Sequence, residues 1–248
     1  MAVIDPDVLL RAYAIGVFPM SDAREAEEVF WVEPKRRAVI PLDGLKVSHS
    51  LRKTIRSSRF QVTADTAFEQ VIRRCAEREE TWINSPIEAS FIRLRALGFA
   101  HSIECRHEGE LVGGLYGVAL GRAFFGESMF SAETDASKVA LAWLVARLKV
   151  GGYTLLDCQF MTDHLRSLGA VEITKKTYLG LLAAAVSPAM SALAGGSVGA
   201  AGLDGAAAAG LRAGDFGALD RLLAEATPGG AVASSPGRFI AQLLGQTS

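Results

Sequence analysis

Residues 111–164 carry three successive hydrophobic rhythms. Leu111–Leu120 and Arg122–Glu127 alternate or run apolar, punctuated by Gly113, Gly114 and Gly121. That pattern predicts a hairpin turning near Leu120–Arg122. Asp135–Val150 then sets Val139, Ala142, Trp143, Ala146 and Val150 at helical spacing, which predicts one helix. Gly151 and Gly152 end it, because glycine accepts the left-handed turn past a helix C-terminus. Tyr153–Gln159 is a short apolar run. It predicts a buried strand that finishes in Asp157, Cys158 and Gln159.

Upstream the rhythm changes more often. Asp7–Ile15 reads as a short helix capped by Asp5, with Pro6 at its first position. Phe18-Pro19-Met20 reads as a rigid apolar turn, and Ser21–Glu28 as a solvated acidic loop. Arg36–Leu42 and Phe60–Thr63 read as strands, with a basic helix over Ser48–Ser57 between them. Thr66–Arg78 is amphipathic, with Phe68, Val71, Ile72 and Cys75 on the inner face. A further helix is predicted over Ser85–Leu97, with Ser85 and Glu88 as a capping box and Pro86 in the first turn. Ala100–Arg106 is a strand leading into the hairpin.

From Arg36 the order is therefore β–α–β–α–α–β–β–β–α–β. An antiparallel meander framed by helices predicts an α+β domain, a mixed or antiparallel sheet with helices on its faces. Residues 1–33 are a small N-terminal unit, 34–186 the main domain, and 187–248 an Ala/Gly/Ser-dominated tail. That composition predicts a weakly structured segment with one or two marginal helices, Ala218–Ala226 among them.

Composition narrows the class. Half of the 248 residues are hydrophobic, which predicts a globular chain. Cys75, Cys105 and Cys158 lack CxxC spacing, which argues against a zinc site or a disulfide framework. No basic-then-apolar leader opens the sequence, and no run of about 20 strongly apolar residues could span a membrane. A reduced, cytoplasmic protein is the expectation. The net charge of −1 gives no bulk argument for a polyanion partner. Between Lys35 and Arg74, however, ten basic residues face three acidic ones. Arg36, Arg37, Arg52, Lys53, Arg56, Arg73 and Arg74 are candidate phosphate contacts that would give salt-dependent affinity. A solvated helix face is the competing reading.

Candidate chemistry sits at strand ends. Glu127 closes one apolar strand, and Asp157 and Gln159 close another. A carboxylate there costs desolvation unless it is paired or used. Brought together, the three would form an acidic cleft; a structural hydrogen-bond network is the alternative.

The segments GGLYGVALGRAFFGESMFS, ASK, LDCQ and DHLRSLGA resemble the leucyl/phenylalanyl-tRNA–protein transferases. LLRAYAIGVFPM, RRAVIPLD, TWI and LGFAHSIE fit the same family in the same order, so the resemblance covers roughly residues 8–180. It implies a GNAT-like (N-acetyltransferase-like) main domain that uses no cofactor and no metal. The implied activity moves Leu or Phe, or a related residue such as Met, from aminoacyl-tRNA to proteins with N-terminal Arg or Lys. The implied cellular role is N-end-rule degradation, carried out by a monomer away from membranes. By resemblance, Asp157 accepts a proton or polarises its neighbour, Gln159 orients the attacking amine, and Glu127 attracts a cationic N-terminus. Leu115, Phe125, Ser128, Met129, Leu141, Leu144 and Leu156 line up with substrate-pocket positions, Met20 and Trp31 wall the site, and Trp82 stacks on the terminal adenosine. Many members carry Trp where this chain has Met20. An acetyl-CoA-dependent N-acetyltransferase is the alternative enzyme. The segment Ser131–Ser137, with two acids and no glycine, is poorly suited to a pyrophosphate. A tRNA-binding module without catalysis is the third reading.

Overall fold

The computed structural model of the protein describes residues 3–195, 211–226 and 235–245. Helix α1 (Pro6–Ala14) opens the chain. The Asp5 carboxylate accepts from the amides of Asp7 at 2.9 Å and Val8 at 3.4 Å, so two first-turn donors gain a partner. Phe18–Met20 is not a free turn. It is β1, paired antiparallel with β2 (Phe30–Val32). A two-strand ribbon consists only of edges, where a proline without an N–H is tolerated.

The main sheet contains β3 (Arg36–Val39), β4 (Gln61–Ala64), β5 (Ala100–His107), β6 (Glu110–Leu120), β7 (Ala123–Ser131), β8 (Leu155–Gln159) and β9 (Val171–Thr174). Their spatial order is β4-β5-β6-β7-β8-β3-β9. Every neighbouring pair is antiparallel except β7 and β8. The mixed α+β sheet is as expected. Successive strand residues point to opposite faces, so Val118 and Leu120 enter one apolar cluster and Ala119 the other. The first cluster takes α1, α3 (Phe68–Ala76), α4 (Ser85–Ala96) and part of α7 (Lys175–Gly195). The second takes α2 (His49–Arg56), α5 (Ala136–Val150), α8 (Ala218–Glu225) and α9 (Pro236–Leu243).

From Arg36 the predicted element order is found, running from β3 to β8. The short α6 (Asp163–Ser167) and β9 follow without having been foreseen, because neither is long enough to show a period. The cap of α4 is Asn84, whose side chain accepts from the Ile87 amide at 3.0 Å. Glu88 does not close a capping box. It binds Arg24 at 2.5 Å and Arg73 at 3.4 Å.

The C-terminal expectation needs the larger correction. A boundary at 186/187 falls inside α7. The described tail residues are packed, with Leu211, Leu219 and Ile240 fully buried. Arg147 of α5, itself buried, reaches the Asp220 carboxylate and the Phe216 carbonyl, each at 2.6 Å.

Candidate active site

Strands β7 and β8 stay paired only from Ala123–Leu155 to Phe125–Asp157. Beyond that point each carries a bulge. β6 sets Tyr116 against Ser128 and Gly117 against Gly126, so Glu127 has no opposite residue. β3 sets Ala38 against Gln159 and Val39 against Asp157, which leaves Cys158 in the same position. A bulge bends its strand and re-aims side chains. Gly117 permits the first one: a Cβ there would lie 2.3 Å from the Phe125 carbonyl oxygen. A cavity of about 720 Å³ occupies this region. Glu127, Tyr116, Cys158 and Gln159 lie along its polar floor, and Leu115, Met129, Leu141, Leu144 and Leu156 form an apolar wall. The more exposed Arg74, Arg78, Trp82 and His164 make the rim.

One oxygen of the Glu127 carboxylate is used and the other is not. Oε1 accepts from the Tyr13 hydroxyl at 2.7 Å and from the Gln159 side-chain amide at 2.9 Å. Oε2 is buried and has no hydrogen-bond partner among the described residues, as is also true of the Tyr116 hydroxyl. Burial pushes the Glu127 pKa up to about 7, against the two hydrogen bonds that favour the anion.

Asp157 is fully enclosed and does not line the cavity. Its carboxylate accepts from Arg37 Nε at 2.9 and 3.0 Å, Arg37 Nη2 at 2.6 Å and the Tyr178 hydroxyl at 2.8 Å. It also accepts from the Gln159 backbone amide at 2.8 Å. Gln159 has φ +63°, a conformation uncommon for any residue but glycine. The Asp157 bond ties that backbone down, and the side-chain amide of Gln159 then donates to Glu127. The expectation that Asp157 faces an incoming amine is corrected by this enclosure.

Two family models match the chain. That of the leucyl/phenylalanyl-tRNA protein transferase covers residues 39–183, and that of its N-terminal domain covers residues 3–35. The chain belongs to this family. The relative named leucyl/phenylalanyl-tRNA–protein transferase in Rhizorhabdus wittichii is 58% identical over 100% of both chains. The one in Novosphingobium aromaticivorans is 54% identical over 99% of this chain and 97% of its own. The one in Zymomonas mobilis is 63% identical over 74% of this chain and 70% of its own. The activity is thus that of an aminoacyltransferase drawing on aminoacyl-tRNA, and the acetyl-CoA alternative gains nothing from these matches. The structure titled L-PGS from Bacillus licheniformis is 13% identical, with a TM-score of 0.36 over 63% of this chain and 53% of that one. That likeness is too slight to argue from.

Within this transferase the Tyr13–Glu127 bond joins the two matched spans. Of the residues expected in a substrate pocket, Trp82, Leu115, Ser128, Met129, Leu141, Leu144 and Leu156 line the cavity. Phe125 does not; it is wholly buried, with the Tyr13 ring centroid 4.8 Å away. Met20 is half-buried against the core, and Trp31 is 42% exposed outside the lining. Among the expected phosphate contacts, Arg37 is withdrawn. It is enclosed, bonded to Asp157 and to the Gly16 carbonyl, with its guanidinium carbon 4.8 and 4.4 Å from the Phe18 and Tyr178 ring centroids. Arg36 pairs with Glu172, Arg73 with Glu69 and Glu88, and Arg74 with Glu77 at the rim. Arg52, Lys53 and Arg56 line a separate hollow. Sequence reasoning missed Tyr13, Tyr116, Arg78 and Tyr178. Tyr13 shares a helical stripe with Leu9 and Leu10, so its spacing signals only core.

Proposed function

We propose that the cavity joins Leu or Phe from aminoacyl-tRNA to the α-amine of a protein that begins with Arg or Lys. The observation that carries this reading is the buried, unpartnered Oε2 of Glu127 beside an apolar wall. A buried acceptor without a donor costs about 1–3 kcal/mol. An incoming α-ammonium would remove that cost. With its pKa near 7, Glu127 takes the ammonium's proton at neutral pH, in the manner of a general base. The freed amine attacks the ester carbonyl carbon. The bond to the ribose oxygen breaks, that oxygen leaves with a proton, and an amide remains. Gln159 holds the Glu127 carboxylate in place. Asp157, bonded to Arg37 and Tyr178, is a positioning residue in this reading. Leu115, Met129, Leu141, Leu144 and Leu156 receive the donor's side chain. Trp82 stacks on the terminal adenine, a contact worth about 1–3 kcal/mol.

The parting of a parallel strand pair beside the start of α5 supports a GNAT-like description of the main domain. The same reading carries action as a monomer in the cytoplasm and entry of the product into N-end-rule degradation. The test uses radiolabelled Leu-tRNA with three peptides that differ only in the first residue, Arg, Lys or Ala. Label should appear on the first two. Equal labelling of the Ala peptide would sink the acceptor assignment.

A further inference from the structure

Outside the cavity, a hollow of about 340 Å³ is lined by His49, Arg52, Lys53, Arg56, Ser57 and Arg238. No acid shares that lining. Elsewhere arginines find carboxylates, as Arg59 does with Glu133, Arg73 with Glu69 and Arg221 with Asp215. Among the described residues no ion pair to Arg52, Lys53, Arg56 or Arg238 is present. Four like charges gathered this way repel one another unless an anion joins them.

The fold nevertheless fixes them there. Helix α9 packs on α2, and Leu51, Ile55, Ile240 and Ala241 share one buried cluster. Gly237 meets the Ile55 carbonyl so closely that a Cβ would lie 2.0 Å from its oxygen. That contact sets the docking depth, and the next residue is Arg238. A neighbouring hollow at the start of α2 is lined by Lys46, Ser48, Lys138 and Ser167 among others. Lys138, which also holds Asp135 at 3.0 Å, directly follows Ser137 of the cavity lining on α5. Cations therefore run from the cavity mouth past α2 to α9. Neither matched family model extends to α9.

We propose that α9 extends the tRNA-binding surface, with Arg238 completing a phosphate site made by Arg52, Lys53 and Arg56 for the backbone of the tRNA body. This rests on the tRNA-donor reading above. The test compares full-length wild type, Arg238→Gln and Arg238→Lys in titrations of fluorescent deacylated tRNA across a salt series. Loss of one phosphate contact should weaken Arg238→Gln about five- to tenfold near 0.1 M salt and make its log–log slope shallower by roughly 0.7–0.9. Arg238→Lys should keep both values, since a phosphate contact needs charge rather than a fork. Transfer from leucyl-adenosine, too short to reach α9, should stay at the wild-type rate in both variants. Unchanged affinity and slope in Arg238→Gln would overturn the proposal, as would an equal loss with leucyl-adenosine. A wild type that binds no tRNA would overturn the donor reading as well, and only that outcome would.

Discussion

Glu127 and Asp157 are both buried acids in the middle of their strands, β7 and β8, and their surroundings set them different roles. Asp157 accepts from Arg37, Tyr178 and the Gln159 amide, so its acceptor sites are filled. Glu127 keeps Oε2 unbonded. Glu127→Gln should therefore lower single-turnover transfer by roughly 10²–10⁴-fold and flatten the rise of wild-type rate through about pH 7. Retention of that pH profile in the variant would move the base elsewhere. Folding raises the Glu127 pKa from 4.5 to about 7, so the native state favours the protonated acid. The stability this contributes is full below about pH 4.5 and is lost as pH rises through about 7. Glu127→Gln has no charge to bury. Its stability relative to wild type should grow between those pH values, by on the order of 3 kcal/mol, read from urea midpoints at each pH. Asp157→Asn should behave differently. It strands the enclosed Arg37, at a cost of about 3–5 kcal/mol, and frees Gln159 from its left-handed turn, so stability and transfer should fall together. Normal stability with lost transfer would restore Asp157 as the proton acceptor. That both acids sit in apolar strands was legible in the sequence, although β7 runs on through its bulge to Ser131 rather than closing at Glu127. Which one carries a counterion was not, because Arg37 is 120 residues away along the chain, where it read as one more basic residue of a charged run.

At the scale of elements, hydrophobic periodicity gave the order from β3 to β8, since each long element shows its period without help from the rest of the chain. The bulges left no such trace. An inserted residue at Glu127 looks in sequence like the end of a strand and one at Cys158 like its continuation, and only the facing strand's register exposes either. Gly117 is the local clue, and the sequence pattern did not single it out beside Gly113, Gly114 and Gly121. It is where β6 and β7 come too close for any side chain, with a Cβ 2.4 Å from the Phe124 ring as well as on the Phe125 carbonyl. Gly117→Ala should cost about 1–3 kcal/mol through overpacking. It should also misdirect Glu127, so that transfer falls by more than the loss of folded protein explains. A variant that loses stability while its folded fraction transfers at the wild-type rate would show that the bulge does not aim Glu127.

Across the whole molecule, the tail is where composition misled most. Ala, Gly and Ser dominate beyond residue 186, and such a stretch predicts little burial. Composition averages over positions, whereas docking depends on a few. Leu211 and Leu219 are wholly buried, and Phe216 stacks on His101 with centroids 4.0 Å apart. Asp220 supplies the carboxylate that faces Arg147, whose side chain is only 3% exposed while that of Asp220 is 61% exposed. Gly237 lets α9 approach α2 closely, and Leu219, Ile240 and Leu244 then fill the seam against the core. Leu219→Ala separates a docked tail from a loosely attached one. A buried leucine truncated inside a packed cluster costs about 2–5 kcal/mol, and the same change on a free surface stays within about 0.5 kcal/mol. The urea midpoint of the full chain should therefore drop by the larger amount, with an unchanged slope, because α8 unfolds with the sheet and not before it. A midpoint equal to wild type would mean that α8 opens independently of the core, and Arg147 would then have to be held by something other than Asp220.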